Sequence, residues 1–234
     1  KGLIIKSENM NENKKKAKIS KIIESLFFLF HNLNFSIQNN LNRNIIIYMV
    51  INNETIIKDD NPLIRKRSED VKLPLSDEDK EILLTMHKYV DESTIDEIAE
   101  EKNLRPAVGI SAVQIGVLKK MTSIILKDEN GDIETEYALV NPKIVSSSIE
   151  KAYLKTGEGC LSVEDIHKGY IYRSARVKVK GYDLLTDSNV EIKASGYLAI
   201  VLQHELDHFK GILFYDHINK KDPFYVDENA YCIE

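Results

Sequence analysis

Tryptophan is absent from this 234-residue chain, and cysteine is nearly so. The two cysteines, Cys160 and Cys232, are too few for the disulfide framework of a small secreted domain, so a reducing compartment is expected. Long apolar runs are missing too. The longest candidate, Ile22 to Phe30, is interrupted by Glu24 and Ser25 and falls well short of the roughly 20 residues that cross a bilayer. Basic charge is not in excess: the net charge is −5, whereas a phosphate-binding surface draws on clustered Lys and Arg. No membrane and no specific nucleic acid are therefore expected as partners. What is present, 43% hydrophobic and 29% charged residues, suits one soluble domain with a sizeable core.

Residues 1–48 differ from the rest. They are crowded with Asn and Lys, and the one periodic stretch, Ile19 to Phe30, predicts a helix with no obvious partner. An organellar presequence is one reading. The other, which we favour, is an Asn/Lys-rich extension ahead of a catalytic domain over 49–234, with Met49 as the natural first residue.

From Met49 the pattern becomes legible. Ser76 followed by Asp79 supplies a helix N-cap, and Ile82, Leu83, Met86, Tyr89 and Val90 recur at helical spacing, predicting a helix over 77–91. Apolar, partly β-branched runs at Lys119–Lys127 and Ile133–Asn141 flank Asn130-Gly131, a hairpin turn signal. A second strand pair is expected at Arg176–Leu184 and Val190–Ala194, turning at Thr186-Asp187-Ser188-Asn189. Gly196 to Gly211 reads as an apolar helix with Gly211 as its C-terminal cap. Strands and helices do not alternate. The expected class is α+β, with antiparallel β-sheets packed around a central helix.

That last helix carries His204, Glu205 and His208. Residues four apart lie on one helical face, so both imidazoles can converge on one ion, with Glu205 a step round and close to water on that ion. A chance match on a solvated helix would show a broad polar face, and Leu198, Ala199, Ile200, Val201, Leu202, Leu206 and Phe209 leave little room for one. Two histidines leave a tetrahedral ion short of a third protein ligand. His217 comes nine residues later, beyond a turn. Cys160, expected in a glycine-flanked strand edge within Gly157-Glu158-Gly159-Cys160-Leu161-Ser162, is a better candidate, and a thiolate favours Zn²⁺ or Fe²⁺. The pattern by itself says mononuclear metal hydrolase.

Three segments then resemble one family together. Ala107-Val108-Gly109-Ile110-Ser111-Ala112-Val113-Gln114, the run Glu158 to Ser162, and Gln203 to His208 stand in the order of the peptide deformylase signatures, over roughly Met49 to the C-terminus. Thr156 to Cys160 and Phe214 to Ile218 are similar to the Gram-positive, type 2 subgroup. The resemblance implies hydrolytic removal of the N-formyl group from the N-terminal methionine of newly synthesised polypeptides, with release of formate. It implies Cys160, His204 and His208 as ligands of one Fe²⁺, which Zn²⁺, Ni²⁺ or Co²⁺ can replace. A water whose pKa the cation lowers would attack the formyl carbon, with Glu205 as general base and then acid. Gln114 and the Leu161 N–H would hold the oxyanion. Val108, Gly109 and Gly159 would bind the peptide as an added strand, and Tyr197, Ile200 and Val201 would line the methionine pocket. For Tyr197, Ile200 and Val201, plain core packing is the competing expectation.

Asp207 and Arg173 are expected to pair behind the ligands. The implied setting is a monomer in the bacterial cytoplasm, meeting nascent chains at the ribosome, or an organelle if residues 1–48 form a presequence. Two positions depart from the family: Ala107 and Ser111 stand where Gly and Ala are usual. Ala107 is expected to be strained if that position needs a positive φ, and both side chains are expected to narrow the peptide channel. Two other readings share the histidine motif. A zinc endopeptidase would take a downstream third ligand, against Cys160. A closed structural site would need a fourth, and Cys232 lies in a tail expected to be mobile.

Overall fold

The computed structural model describes residues 50–234, so the expected helix at Ile19–Phe30 lies outside the described residues. Helix α1 (Asp77–Ser93) begins at the expected cap, where Ser76 accepts a hydrogen bond from the Asp79 N–H at 3.1 Å. A short helix α2 (Asp96–Lys102) follows; seven residues are too few to declare themselves by periodicity.

Five strands then form one antiparallel sheet in the order β1-β2-β3-β6-β7: β1 (Gly109–Ser111), β2 (Met121–Lys127), β3 (Ile133–Ser147), β6 (Arg176–Asp183) and β7 (Ser188–Ser195). Both expected strand pairs are present. The turn after β2 is longer than a two-residue hairpin, because the Asp128 carboxylate accepts the N–H groups of Asn130 and Asp132 and closes a wider loop. A smaller sheet, ordered β5-β4-β8, joins β4 (Lys151–Leu154), β5 (Arg173–Ser174) and β8 (Tyr231–Ile233). Here β4 and β8 run parallel, the exception to the antiparallel expectation. Cys232 therefore sits in a paired strand rather than in a mobile tail; three residues were too short a signal.

Helix α3 (Gly196–His208) carries the histidine motif. It ends as the sequence indicates. The N–H groups of Gly211 and Ile212 return to the carbonyls of His208 and Asp207, and Gly211 adopts φ +72, the left-handed cap that glycine takes without penalty. A Cβ there would also lie 2.0 Å from the Arg65 carbonyl oxygen, so the chain crosses at backbone contact.

Strand alternation explains how the site is held. Along β2, Met121 and Ile125 join the core of α1 residues Leu83, Met86 and Val90, while Ile124 faces the opposite core of α3 residues Val201, Leu202 and Leu206. The sheet is thus clad by a helix on each face, and strand β2 is buried on both. At about 25 cal/mol per Å² of buried apolar area, such double coverage makes the α3 side a rigid support.

Candidate active site

The site is assembled from three segments. Strand β1 runs into a single 3-10 turn (Ala112–Ile115) that carries Gln114. The turn 160–163 lies between β4 and β5, so Cys160 is in a turn and not on a strand edge as expected. Helix α3 brings His204, Glu205 and His208.

Cys160 Sγ and one ring nitrogen from each of His204 and His208 lie within 4.8 Å of one another, and Sγ is 3.4 Å from His208 Nε2. His204 Nδ1 lies 2.8 Å from Glu158 Oε2, which leaves Nε2 as the ring atom for an ion. This donor set fits a borderline-soft divalent cation: one sulfur, two imidazoles and room for a fourth, exchangeable position. The Cys160 thiol agrees with that. Burial pushes its pKa up, but the neighbouring His208 and His204 pull it down to about 6, so the metal-binding thiolate is within reach at neutral pH. In the metal-free chain, burial disfavours charge on His204, yet hydrogen bonding to Cys160 and Glu158 raises its pKa well above the ordinary value.

Behind Cys160, His204 and His208 lies a buried ion network. Arg173 donates to both oxygens of Glu158, at 2.6 and 2.9 Å, and to Asp207 Oδ2 at 2.9 Å. The expected pairing of Asp207 with Arg173 is therefore present. Burial alone would raise the pKa of both carboxylates. Hydrogen bonds from His204 and Arg173 hold Glu158 below its usual value, and those from His217 and Arg173 hold Asp207 lower still. His217, set aside as a ligand, meets Asp207 Oδ2 at 2.8 Å. Glu158 and His217 in these roles were missed, since no local spacing announces a partner 46 or 10 residues away.

The cysteine turn is fixed on every side. Lys58 Nζ donates to the Leu161 carbonyl at 3.2 Å, the Asp59 N–H to the Ser162 carbonyl at 2.8 Å, and Arg105 to the Val163 carbonyl at 3.1 Å. Gln114 is equally constrained. Its Oε1 accepts the Ser111 N–H at 2.8 Å, which turns Nε2 toward Ser162 Oγ at 3.2 Å and Cys160 Sγ at 3.6 Å. The amide donor thus lies beside the Cys160 sulfur.

A cleft of about 320 Å³ opens over this centre. Ala107, Val108, Gly109, Gly159, Cys160, Leu161, Tyr197, Ile200, Val201, His204 and Glu205 line it. Tyr197 is 42% exposed, which excludes simple core packing for that residue; Ile200 and Val201 are buried beneath it. Among the described residues strand β1 is an edge strand, paired only with β2, and Val108 and Gly109 at its start line the cleft. Ala107 is not among the residues with positive φ, so the expected strain does not arise. Nor does Ser111 narrow the channel: its side chain is fully buried and does not line the cleft.

The profile described as polypeptide deformylase matches residues 53–224. The chain belongs to the polypeptide deformylase family. Curated deformylases agree. The chain is 46% identical over 185 residues to peptide deformylase 2 of Bacillus subtilis, covering 79% of this chain and all of that protein. It is 48% identical over 181 residues to peptide deformylase 2 of Geobacillus stearothermophilus, covering 77% of this chain and 97% of that one. These relatives place it in the type 2 subgroup. Among solved structures, the peptide deformylase of Ehrlichia chaffeensis superposes with a TM-score of 0.56 at 30% identity, over 71% of this chain and 88% of that one. The deformylase fold is thus α+β, as expected. Members are metal-dependent hydrolases acting on the formylated N-terminal methionine of new polypeptides, and this deformylase is one of them. Among the described residues no helix is long and apolar enough to cross a membrane.

Proposed function

We propose that a single Fe²⁺, replaceable by Zn²⁺, Ni²⁺ or Co²⁺, is held by Cys160, His204 and His208, and that Glu205 moves the protons of deformylation. The observation that carries this reading is the convergence of one thiol and two imidazoles within 4.8 Å, beside a cleft that Cys160, His204 and Glu205 line. When bound, a divalent cation in such a site lowers the pKa of water and polarises a carbonyl. Glu205 accepts the proton of the attacking water and delivers it to the departing amine. Gln114 Nε2 and the Leu161 N–H donate to the oxygen on which charge develops, Gln114 from a position that its hydrogen bond with the Ser111 N–H already fixes.

The peptide itself adds as a strand beside β1, hydrogen-bonding to the backbone of Val108 and Gly109 on one side and Gly159 on the other. Tyr197, Ile200 and Val201 receive the methionine side chain. Asp207 and Arg173 orient the ligands from behind. Residues 49–234 form the catalytic unit and 1–48 an extension, and the protein acts as a monomer on nascent chains at the ribosome, in the bacterial cytoplasm.

The test is formate release from a formyl-Met peptide by anaerobically purified protein, with metal analysis alongside. Glu205→Ala is expected to abolish turnover while one metal per chain stays bound. Retained turnover would remove Glu205 from the mechanism, and cleavage of an internal peptide bond instead would indicate an endopeptidase.

A further inference from the structure

One buried hydroxyl meets the Glu205 carboxylate from inside the protein. Ser111 Oγ lies 2.7 Å from Glu205 Oε2 and 3.0 Å from the Glu205 main-chain oxygen, and the serine side chain is fully buried. Thr122 Oγ1 also approaches Oε2, at 3.5 Å, but it donates to the Ile110 carbonyl at 2.9 Å and a hydroxyl has one proton to give. Ser111 also has one proton to give, and the charged Oε2 at 2.7 Å is a nearer and stronger acceptor than the main-chain oxygen at 3.0 Å, so Ser111 is the near hydroxyl donor to this carboxylate oxygen among the described residues.

The two oxygens of Glu205 occupy different surroundings. Oε2 points at Ser111 and Thr122, into the protein. Oε1 lies alongside β1, so close to Gly109 that a Cβ built there would stand 2.6 Å from it. Gly109 also lines the cleft. A carboxylate gripped at one oxygen and walled by backbone near the other has little torsional freedom left.

We propose that Ser111 is a positioning residue: its hydroxyl grips Glu205 Oε2 and thereby aims Oε1 at the substrate cleft. This inference rests on Glu205 being the proton carrier. It gives physical content to the serine as a departure from the usual alanine, since alanine would leave Oε2 without its donor. Turnover falls when a catalytic group is released from its reacting geometry, while substrate binding, which depends on β1 and the methionine pocket, does not.

Steady-state kinetics on a formyl-Met tripeptide test it with three proteins: wild type, Ser111→Ala and Glu205→Gln. Metal content and melting temperature are measured on each. Ser111→Ala is expected to lower kcat about tenfold, the scale of one hydrogen bond to a charged group. Its KM should stay within about twofold, with metal content and melting temperature those of the wild type. A kcat within about twofold of wild type overturns the assignment, and so does a loss of activity that tracks loss of metal or of fold. Glu205→Gln separates the two readings. If it is inactive while Ser111→Ala is unimpaired, only the serine assignment fails; if it stays active, the proton-carrier reading fails first.

Discussion

Glu158 Oε2 lies 2.8 Å from His204 Nδ1, and this contact decides which nitrogen of the imidazole is left to face Cys160. The glutamate is itself held by two hydrogen bonds from Arg173. An imidazole oriented this way would lose little freedom on binding an ion.

Glu158→Gln should therefore weaken metal binding by about 10- to 100-fold, the usual effect of removing a ligand's supporting carboxylate. Competition with a chelator, read by metal retained per chain, measures it. Affinity equal to wild type would mean that the contact does not set the ring's orientation.

Arg173 joins Glu158 and Asp207 in a buried triad, so losing one member strands charge. Arg173→Met should lower stability by about 3–5 kcal/mol in denaturant unfolding. A double-mutant cycle with Asp207→Asn should return a coupling energy of about 0.5–3 kcal/mol. Additive effects would show that the two residues are independent.

The same carboxylates give stability a pH dependence. Their pKa values are depressed in the folded chain, so their contribution is full above the unfolded carboxylate range of about 4 and is lost as pH falls below it. Melting temperature should drop steeply through that acidic window. In the Asp207→Asn variant the drop should be shallower; an unchanged slope would contradict the linkage.

In metal-stripped protein, Cys160 should react with iodoacetamide with a midpoint near pH 6, since burial is outweighed by the two histidines. His208→Ala should move that midpoint upward, because the largest opposing influence is gone. A midpoint in the ordinary thiol range in the unmutated chain would refute the electrostatic account.

Gly109→Ala places a methyl carbon 2.6 Å from Glu205 Oε1, closer than the two can stand. We expect kcat to fall at least tenfold, on the order of a misplaced catalytic group, with the far-ultraviolet circular dichroism unchanged. Full activity would show that the carboxylate can shift without consequence.

Much of this was legible in the sequence. The helix with His204 and His208, the cap at Ser76, the Gly211 terminus and both strand pairs follow from local periodicity and turn chemistry, which act over a few residues. The convergence of Cys160, His204 and His208 and the Asp207–Arg173 pair follow from motif spacing and family resemblance. What stayed hidden is long-range. Glu158 meets His204 only because β4 and α3 pack together, and Ser111 meets Glu205 across 94 residues of chain. Lys58 and Arg105 reach the cysteine turn from segments with no motif at all. The small parallel pairing of β4 with β8 joins residues some eighty positions apart, with no local pattern to announce it.

The open edge of β1 has a further consequence. Backbone N–H and C=O groups are the same in every L-peptide, so a strand edge reads direction and extension while remaining blind to sequence. A catalyst whose substrate aligns there can process the first residue of many different proteins with one surface. Discrimination is then confined to the pocket beside Tyr197 and to whatever cap occupies the terminal nitrogen. Generality of this kind is a property of geometry, and it costs the enzyme nothing in chemistry.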